Sequence, residues 1–261
     1  MNNNSNIVEL KSFANTLADK SEIIIMEYFR QKLNIERKND DTPVTIADKK
    51  SEEIIRSLIN KQYPDHGIIG EEYEGKNIDS EYLWVIDPID GTRSFIAGHK
   101  DFGTLIALIH KAKPILGIIN CPAHKERWIG IDGMPTTLNG DIVNTSNIKH
   151  IDNSYTFTSG LYFEDKFFRK SFEKIIEKSN YYRFGGDCYM YGMLASGLID
   201  IVVEDTLKIH DYMALIPVIE GAGGVVTDKK NQKITLQSDG SLLATANPEL
   251  HKEVIGLMEN S

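Results

Sequence analysis

Two aspartates, Asp87 and Asp90, stand three residues apart directly after an apolar run. Residues 83–86 have the length and β-branched content of a buried strand, and Pro88 cannot donate a ladder hydrogen bond, so we expect the strand to stop there. Both carboxylates would then lie at the end of a strand. Mg²⁺ prefers near-octahedral oxygen ligands, and these carboxylates with a backbone carbonyl such as that of Ile89 suit it. The pattern predicts a magnesium site that faces a phosphate group.

The residues that follow Asp90 have the chemistry of an anion-binding turn. Gly91 lets the backbone approach an anion closely, and the N–H groups of Gly91 and Thr92 would cradle a phosphoryl group at the start of a turn or short helix. A hydroxyl such as that of Thr92, hydrogen-bonded to an acid, can take or relay the proton of an attacking water. The sequence therefore places a phosphate site beside the metal.

Three further acids stand where they would reach the same site. Glu71 ends a short apolar run sixteen residues before Asp87, which indicates a neighbouring strand. Asp211 lies in the first turn of a helical pattern, and Asp48 begins a helix predicted over 48–60. Taken singly, Asp48 and Asp211 are better explained as solvated charges or helix caps. Their joint occurrence favours a metal centre.

Four segments, in their order and spacing, resemble the inositol monophosphatase family of Mg²⁺-dependent, lithium-sensitive phosphatases. They are residues 43–48, 70–72, 84–92 and 211–224. The resemblance runs nearly end to end. It implies an α/β (α+β) fold built as a layered αβαβα sandwich, with the metal site between its halves.

The resemblance also implies a role for each matched residue. Thr92, supported by Asp48 and with Glu71 beside it, would activate the attacking water, while the N–H groups of Gly91 and Thr92 hold the phosphate. The family is often dimeric, which predicts a homodimer. Two or three Mg²⁺ ions would be bound by Glu71, Asp87, Asp90, Asp211 and the Ile89 carbonyl.

On the substrate side the chain looks like the histidinol-phosphatase branch of this family. Arg93 stands where an inositol phosphatase would have a small polar residue, and Asp187 and Glu204 stand where the family places leaving-group contacts. Histidinol phosphate carries an amine and an imidazole, and buried carboxylates bind such cations through charge-assisted hydrogen bonds. The family uses a glutamate at the position of Glu204 for polyols too, so only Asp187 discriminates. Asp187 is equally explained as the N-cap of the next helix, and Arg93 as an exposed loop residue.

Three functions remain open at this point. The first is hydrolysis of L-histidinol phosphate to L-histidinol and phosphate in histidine biosynthesis. The second is hydrolysis of inositol 1-phosphate or another small sugar phosphate or nucleotide 3′-phosphate. The third, a metal-binding module without turnover, ranks low because every predicted ligand is present.

Composition fits a cytoplasmic enzyme that acts on a small phosphorylated metabolite. The chain has 261 residues, of which 41% are hydrophobic and 26% charged, as in ordinary globular proteins. Its 29 basic and 38 acidic residues give a net charge of −9, which opposes nonspecific nucleic-acid binding. The start of the chain lacks the profile of a signal peptide, and no apolar stretch approaches membrane-spanning length. We therefore expect neither nucleic acid nor membrane as a partner.

Cysteine and histidine give no sign of a different metal centre. Cys121 and Cys188 have no metal-ligand spacing and are predicted to be buried, structural thiols. His99 and His210 lack a second histidine at ligand spacing, so we expect a polar loop group and a residue just before a helix.

The elements that must position these residues form two halves. The first 60 residues predict two amphipathic helices, and residues 83–131 predict a largely antiparallel sheet that helices cover. From about Tyr155 helices and strands alternate. We expect one unit over 1–261, with an α+β half (1–150) that holds most metal ligands and an α/β half (151–261) that holds Asp211 and the substrate-side residues.

Overall fold

The computed structural model describes residues 3–32, 35–37 and 43–259. The sequence also predicts an extended segment from Asp41 up to Asp48, of which Asp41 and Thr42 lie outside the described residues. Its last residues, Pro43–Val44, form a short strand as expected.

The fold contains two main sheets with helices on their faces, and a separate short pair of strands. The described helices are α1 Asn3–Tyr28, α2 Ile46–Gln62, α3 Thr92–Ala97, α4 Lys166–Lys178, α5 Asp187–Ala195, α6 Ile209–Tyr212, α7 Leu215–Gly221 and α8 Pro248–Glu259. A short pair consists of β1 Glu36–Arg37 and β2 Pro43–Val44. A seven-stranded sheet runs in chain order through β3 Gly67–Gly70, β4 Tyr82–Asp90, β5 Gly103–His110, β6 Lys113–Cys121, β7 Glu126–Ile131, β8 Met134–Leu138 and β9 Asp141–Ile142. The second sheet contains β10 Tyr155–Thr158, β11 Tyr181–Phe184, β12 Ile201–Glu204, β13 Val225–Thr227 and β14 Leu242–Thr245, in the order β11-β10-β12-β14-β13.

Apolar cores lie between the five layers of the fold. Leu17 of α1 and Ile55 of α2 pack with Trp84 on one face of the larger sheet. Helices α5 and α7 lie between the two sheets, and α4 and α8 cover the outer face of the smaller one. The order of layers is therefore αβαβα, which confirms the predicted fold class.

Strand β4 continues past Pro88 and ends at Asp90, so the prediction that it stops at Pro88 is wrong. The pairing register shifts between Asp87 and Asp90, where three steps along β4 face two along β5. Such a bulge takes residues out of the hydrogen-bond ladder, so the missing N–H of Pro88 costs nothing there. The Pro88 carbonyl instead accepts a hydrogen bond from Thr104 Oγ1 at 2.9 Å. The bulge therefore changes the direction in which the side chains of Asp87 and Asp90 leave the strand.

Two predicted helix starts also differ from the structure. Helix α2 begins at Ile46 rather than at Asp48, because Thr45 is the N-cap and Asp48, its third residue, closes a capping box with it. The helix predicted with His210 just before it and Asp211 in its first turn begins at Ile209 and is divided into α6 and α7.

The two sheets draw on separate stretches of the chain. The larger sheet uses strands from 67 to 142, and the predicted antiparallel run from 104 to 131 is confirmed. The smaller sheet uses strands from 155 to 245. Strands β8, β9, β13 and β14 and helix α8 were not predicted. The division of the chain near residue 150 stays a prediction.

Candidate active site

Carboxylates from three elements converge at one edge of the larger sheet. Strands β3 and β4 are parallel, so Glu71, just after β3, leaves the sheet on the same side as Asp87. Helix α6 brings Asp211 to the same place from the second half of the chain. One carboxylate oxygen from each of Asp87, Asp90 and Asp211 lies within 4.8 Å of the other two.

The environment of Asp87 fits a bound cation. Its side chain is buried, and Oδ1 has no hydrogen-bond partner among the described residues. Burial raises the pKa of Asp87 well above its ordinary value, and the charges of Glu71, Asp90 and Asp211 raise it further. A buried oxygen left unsatisfied costs about 1–3 kcal/mol, which a cation would offset. Several carboxylates are the ligand set of hard divalent ions.

Asp90 and Asp211 are each held by a backbone N–H. Asp90 Oδ2 accepts from the N–H of Cys188 at 2.6 Å, and Asp211 Oδ2 accepts from that of Lys208 at 2.7 Å. Burial is the main cause of the raised pKa of both carboxyls. Asp211 thus caps α6 and also belongs to the acidic cluster. The interpretation of Asp211 as a helix cap and its interpretation as a member of the cluster are therefore compatible.

Thr92 and Asp48 lie next to this cluster. Thr92 Oγ1 is 3.0 Å from the Ile89 carbonyl oxygen and 3.3 Å from Asp48 Oδ1. The other carboxylate oxygen of Asp48 accepts from the N–H and the hydroxyl of Thr45, at 2.8 and 2.6 Å. Burial raises the pKa of Asp48. Asp48 therefore closes the cap of α2 with one oxygen and faces Thr92 with the other.

The turn after Asp90 requires glycine. Gly91 is the N-cap of α3 with φ 83°, a left-handed conformation that glycine adopts without strain. A Cβ on Gly91 would also lie 2.9 Å from the Cβ of Asp187. The N–H groups of Gly91 and Thr92 therefore stand at the start of α3, beside the acids.

A cavity of about 310 Å³ opens over these groups. A larger cavity of about 700 Å³ lies against α1 and β7, but the acidic cluster of Asp87, Asp90 and Asp211 lies at the smaller one. The acidic cavity is therefore the candidate site. It is lined by Glu71, Asp87, Ile89, Asp90, Gly91, Thr92, Arg93, Tyr162, Asp187, Thr206 and Asp211.

Asp187 lines the cavity but does not cap a helix. Gly186 is the N-cap of α5, and the Asp187 carboxylate accepts a hydrogen bond from Ser94 Oγ. A cap at Asp187 would accept from the N–H of Tyr189 or Met190, and the Met190 N–H is bonded to the Gly186 carbonyl instead. The cap interpretation of Asp187 is therefore wrong. Its φ of 41° is unusual for a residue other than glycine, and such strain is often found at functional sites.

Glu204 and Arg93 occupy opposite environments. Glu204 is buried on β12, outside the residues that line the cavity, and its carboxylate accepts from Ser159 and, at 2.6 Å, from the Tyr191 hydroxyl. Burial raises its pKa to about 7. Arg93 is exposed at the cavity rim, where its Nη1 donates to the Tyr162 hydroxyl at 3.0 Å. This position fits both interpretations of Arg93 from the sequence, as an exposed loop residue and as a residue next to the substrate.

Sequence reasoning missed a buried ion pair that holds the segment carrying Glu71. Glu52 is fully buried; its Oε2 accepts from the N–H of Glu72 at 2.8 Å, and its Oε1 accepts from Arg56 Nε at 2.6 Å. Arg56 Nη2 donates in turn to the carbonyl of Tyr73 at 2.8 Å. Glu52 follows Asp48 by four residues, a helical spacing that puts both side chains on one face of α2. This spacing is the signal in the sequence that could have identified Glu52.

His210 is a second missed residue. It lies inside α6 rather than before it, because the Asp211 carboxylate caps the N–H of Lys208 and starts the helix one residue earlier. A ring nitrogen of His210 and one carboxylate oxygen from each of Glu71 and Asp87 all lie within 4.8 Å of one another. His99 lies in an exposed loop, as expected.

Cys121 and Cys188 are free and buried, as predicted. No helix in the described part of the chain is long and apolar enough to cross a membrane.

Comparison with known proteins decides the family. The sequence profile of the inositol monophosphatase family matches residues 6–261. The chain belongs to the inositol monophosphatase family. It is therefore a phosphoric monoester hydrolase, and this family is metal-dependent. The acidic cluster supplies the candidate metal site that membership requires.

Relatives within the inositol monophosphatase family carry two kinds of name. The chain is 42% identical to the bifunctional phosphatase IMPL2, chloroplastic, of Arabidopsis thaliana, over 96% of this chain and 76% of that protein. It is 35% identical to a histidinol-phosphatase of Chlorobaculum parvum, over 94% of each. A solved inositol monophosphatase from Zymomonas mobilis is 41% identical, with a TM-score of 0.86 and coverage of 95% of this chain and 96% of that one.

Proposed function

We propose that this protein is a Mg²⁺-dependent phosphatase that hydrolyses L-histidinol phosphate to L-histidinol and phosphate. The observation that carries the proposal is the position of Asp187, a carboxylate that lines the same cavity as the acidic cluster and adjoins the Gly91 turn. A cationic leaving group next to the phosphate would meet a negative charge there. Similarity to a bifunctional phosphatase and to a histidinol-phosphatase supports the same substrate.

The metal ligands in this proposal are the clustered acids. Divalent ions, when bound, would neutralise charge on the phosphate and lower the pKa of the attacking water. Asp87 Oδ1, buried and without a partner among the described residues, is the oxygen that most needs such an ion. Two or three Mg²⁺ ions would be held by Glu71, Asp87, Asp90, Asp211 and the Ile89 carbonyl.

Thr92 and Asp48 would manage the proton of the attacking water. The Thr92 hydroxyl can accept that proton while it passes its own to Asp48, 3.3 Å away. Because burial raises the pKa of Asp48, this carboxyl accepts a proton more readily than an exposed aspartate would. The N–H groups of Gly91 and Thr92 would hold the phosphate meanwhile, with Arg93 at the rim as a further cation.

Discrimination between substrates would come from Asp187 on the leaving-group side. Asp187, fixed by Ser94, would bind the amine of histidinol directly. Glu204 lies deeper, and with a pKa of about 7 its carboxyl is partly ionised near neutrality. Asp187 would favour a cation over the neutral hydroxyls of a polyol, whereas Glu204 would suit both.

The second candidate substrate is inositol 1-phosphate or another small phosphate ester. Glu204 is compatible with it, because a glutamate at this position suits polyol hydroxyls as well as cations. The 41% identity to a solved inositol monophosphatase also supports it. A metal-binding module without catalytic turnover would be expected to lack a metal ligand, whereas all the carboxylates of the predicted set are present in this chain.

The experiment that tests the proposal is phosphate release from four esters, each with Mg²⁺ and with EDTA. The esters are histidinol phosphate, inositol 1-phosphate, a nucleotide 3′-phosphate and fructose 1,6-bisphosphate. A Mg²⁺-dependent preference for histidinol phosphate supports the proposal. Preference for inositol 1-phosphate would overturn the substrate and keep the reaction, and no release from any ester would overturn both.

A further inference from the structure

His210 is the one histidine of the chain that joins the acidic cluster, and neither the motif resemblance nor the proposed function gives it a role. All seven histidines lie in the described residues, and among the groups able to hold a metal only one contains a histidine: Glu71, Asp87 and His210. The side chain is 9% exposed and therefore almost closed off from bulk water.

The geometry around His210 has the form of a mixed nitrogen and oxygen ligand set. Its ring nitrogen and one oxygen from each carboxylate fall within 4.8 Å of one another, which is the spread of ligand atoms around a single ion. Asp87, whose side chain is 2% exposed, contributes to this group and has an oxygen without a hydrogen-bond partner in the described structure. A cation is the partner that such an oxygen lacks.

A hydrogen bond to the neighbouring acid does not account for the ring's position. His210 Nε2 lies 3.4 Å from Asp211 Oδ1, beyond the usual 2.7–3.2 Å range of N–H···O hydrogen bonds. Asp211 already holds the start of α6 through Lys208. The imidazole is therefore not required to fix the carboxylate.

We propose that His210 is a nitrogen ligand of the metal centre, so that its imidazole contributes more to Mn²⁺ binding than to Mg²⁺ binding. Mg²⁺ takes oxygen ligands almost exclusively. Imidazole suits Zn²⁺, Cu²⁺, Fe²⁺ and Ni²⁺ best, and Mn²⁺ also takes carboxylates, but as a transition-metal ion Mn²⁺ accepts a nitrogen ligand more readily than Mg²⁺ does. An imidazole beside two carboxylates therefore raises affinity for Mn²⁺ and adds little for Mg²⁺. The inference uses the location of the metal centre in the proposed function and no property of its substrate.

The test is pulsed electron paramagnetic resonance of the Mn²⁺-loaded protein without substrate. The unaltered chain should show the ¹⁴N modulation of a directly bound imidazole, and labelling histidine with ¹⁵N should change that modulation without any substitution. His210→Gln should abolish it. Mn²⁺ binding should weaken by about tenfold or more in this variant, while Mg²⁺ binding, measured by competition, should weaken by less than about threefold.

His124→Gln is the matched control, because His124 also pairs with an aspartate, Asp101, at 2.9 Å but joins no metal-capable group of the described residues. It should keep the ¹⁴N signal and both affinities. Absence of ¹⁴N modulation in the unaltered Mn²⁺ protein would overturn the proposal, as would equal weakening of Mn²⁺ and Mg²⁺ by His210→Gln. Either result leaves the proposed function standing, whereas failure of the unaltered chain to bind either ion would overturn the metal centre itself.

Discussion

At the scale of single residues, several acids in this protein do two things at once. Asp48 closes the cap of α2 with one oxygen and faces Thr92 with the other, and Asp211 caps α6 within the acidic cluster. A carboxylate held by N–H donors keeps its orientation when charge around it changes. The structural and functional explanations of these residues therefore reinforce each other.

Asp90→Asn should lower turnover by roughly 10²-fold or more, because it removes a charge from the metal centre. The amide oxygen can still accept from the Cys188 N–H, so the fold should survive. Metal-free protein should unfold at the same or a higher temperature, since the pKa of Asp90 is raised by burial and by neighbouring acids. Steady-state rates and thermal unfolding check this. Near-normal rates in saturating Mg²⁺ would refute the assignment.

Asp187→Ala should reduce kcat/KM for histidinol phosphate more than for inositol 1-phosphate. The expected difference is about 1–3 kcal/mol, the value of a charge-assisted hydrogen bond. Ser94→Ala is the control, because it removes the hydroxyl that donates to Asp187 and leaves the carboxylate in place. Its effect should be smaller. Equal losses for the two substrates would show that Asp187 does not read the leaving group.

At the scale of elements, helix α2 positions two parts of the site. Asp48 and Glu52 project from the same face, the first toward Thr92 and the second toward the segment after β3. Gly70 leaves room for this contact, because a Cβ there would lie 2.0 Å from Glu52 Oε1. Glu71 is thus held by a helix as well as by a strand.

Glu52→Gln should lower the free energy of unfolding by about 3 kcal/mol, because it breaks a buried ion pair with Arg56. It should also weaken Mg²⁺ binding, since the segment that bears Glu71 loses its support. Glu173→Gln is the matched control, because Arg169 and Glu173 form an exposed pair with the same i,i+4 spacing. Its cost should stay under about 0.5 kcal/mol. Chemical denaturation and calorimetry measure both variants, and similar small effects would disprove the role of Glu52.

How far the sequence predicts this site depends on whether the cause is local. The apolar run before Asp87 and the glycine after Asp90 act within a few residues, and both are readable in the chain. The bulge at Pro88 depends on Thr104 in the next strand, and the start of α5 depends on Asp90, 98 positions from Cys188. Those contacts exist only once the sheet and helices have packed, so the pattern along the chain does not contain them.

At the scale of the whole molecule, the acidic cluster couples stability to metal and pH. Burial and mutual repulsion raise the pKa of Asp87, Asp90 and Asp211 in the folded state. Without metal, the folded protein therefore binds more protons than the unfolded chain above the ordinary carboxyl range, so these groups stabilise at low pH and lose that contribution as pH rises. Bound metal replaces the protons.

The increase in unfolding temperature that Mg²⁺ produces over EDTA should therefore grow as pH rises from about 5 to 8. Because the same protein is compared with and without Mg²⁺, the stability contributions of groups away from the site cancel. One such group is His251, whose pKa burial lowers to about 4 and whose contribution to stability is lost as pH falls rather than as it rises. Mg²⁺ binding should also release protons, measurable by calorimetry in buffers of different ionisation enthalpy. Asp90→Asn should flatten the dependence, because one titrating carboxyl is gone. A Mg²⁺ effect that is constant across this range would show that the clustered acids are already ionised in the metal-free protein. It would contradict the proposal that they take up protons when the metal is absent.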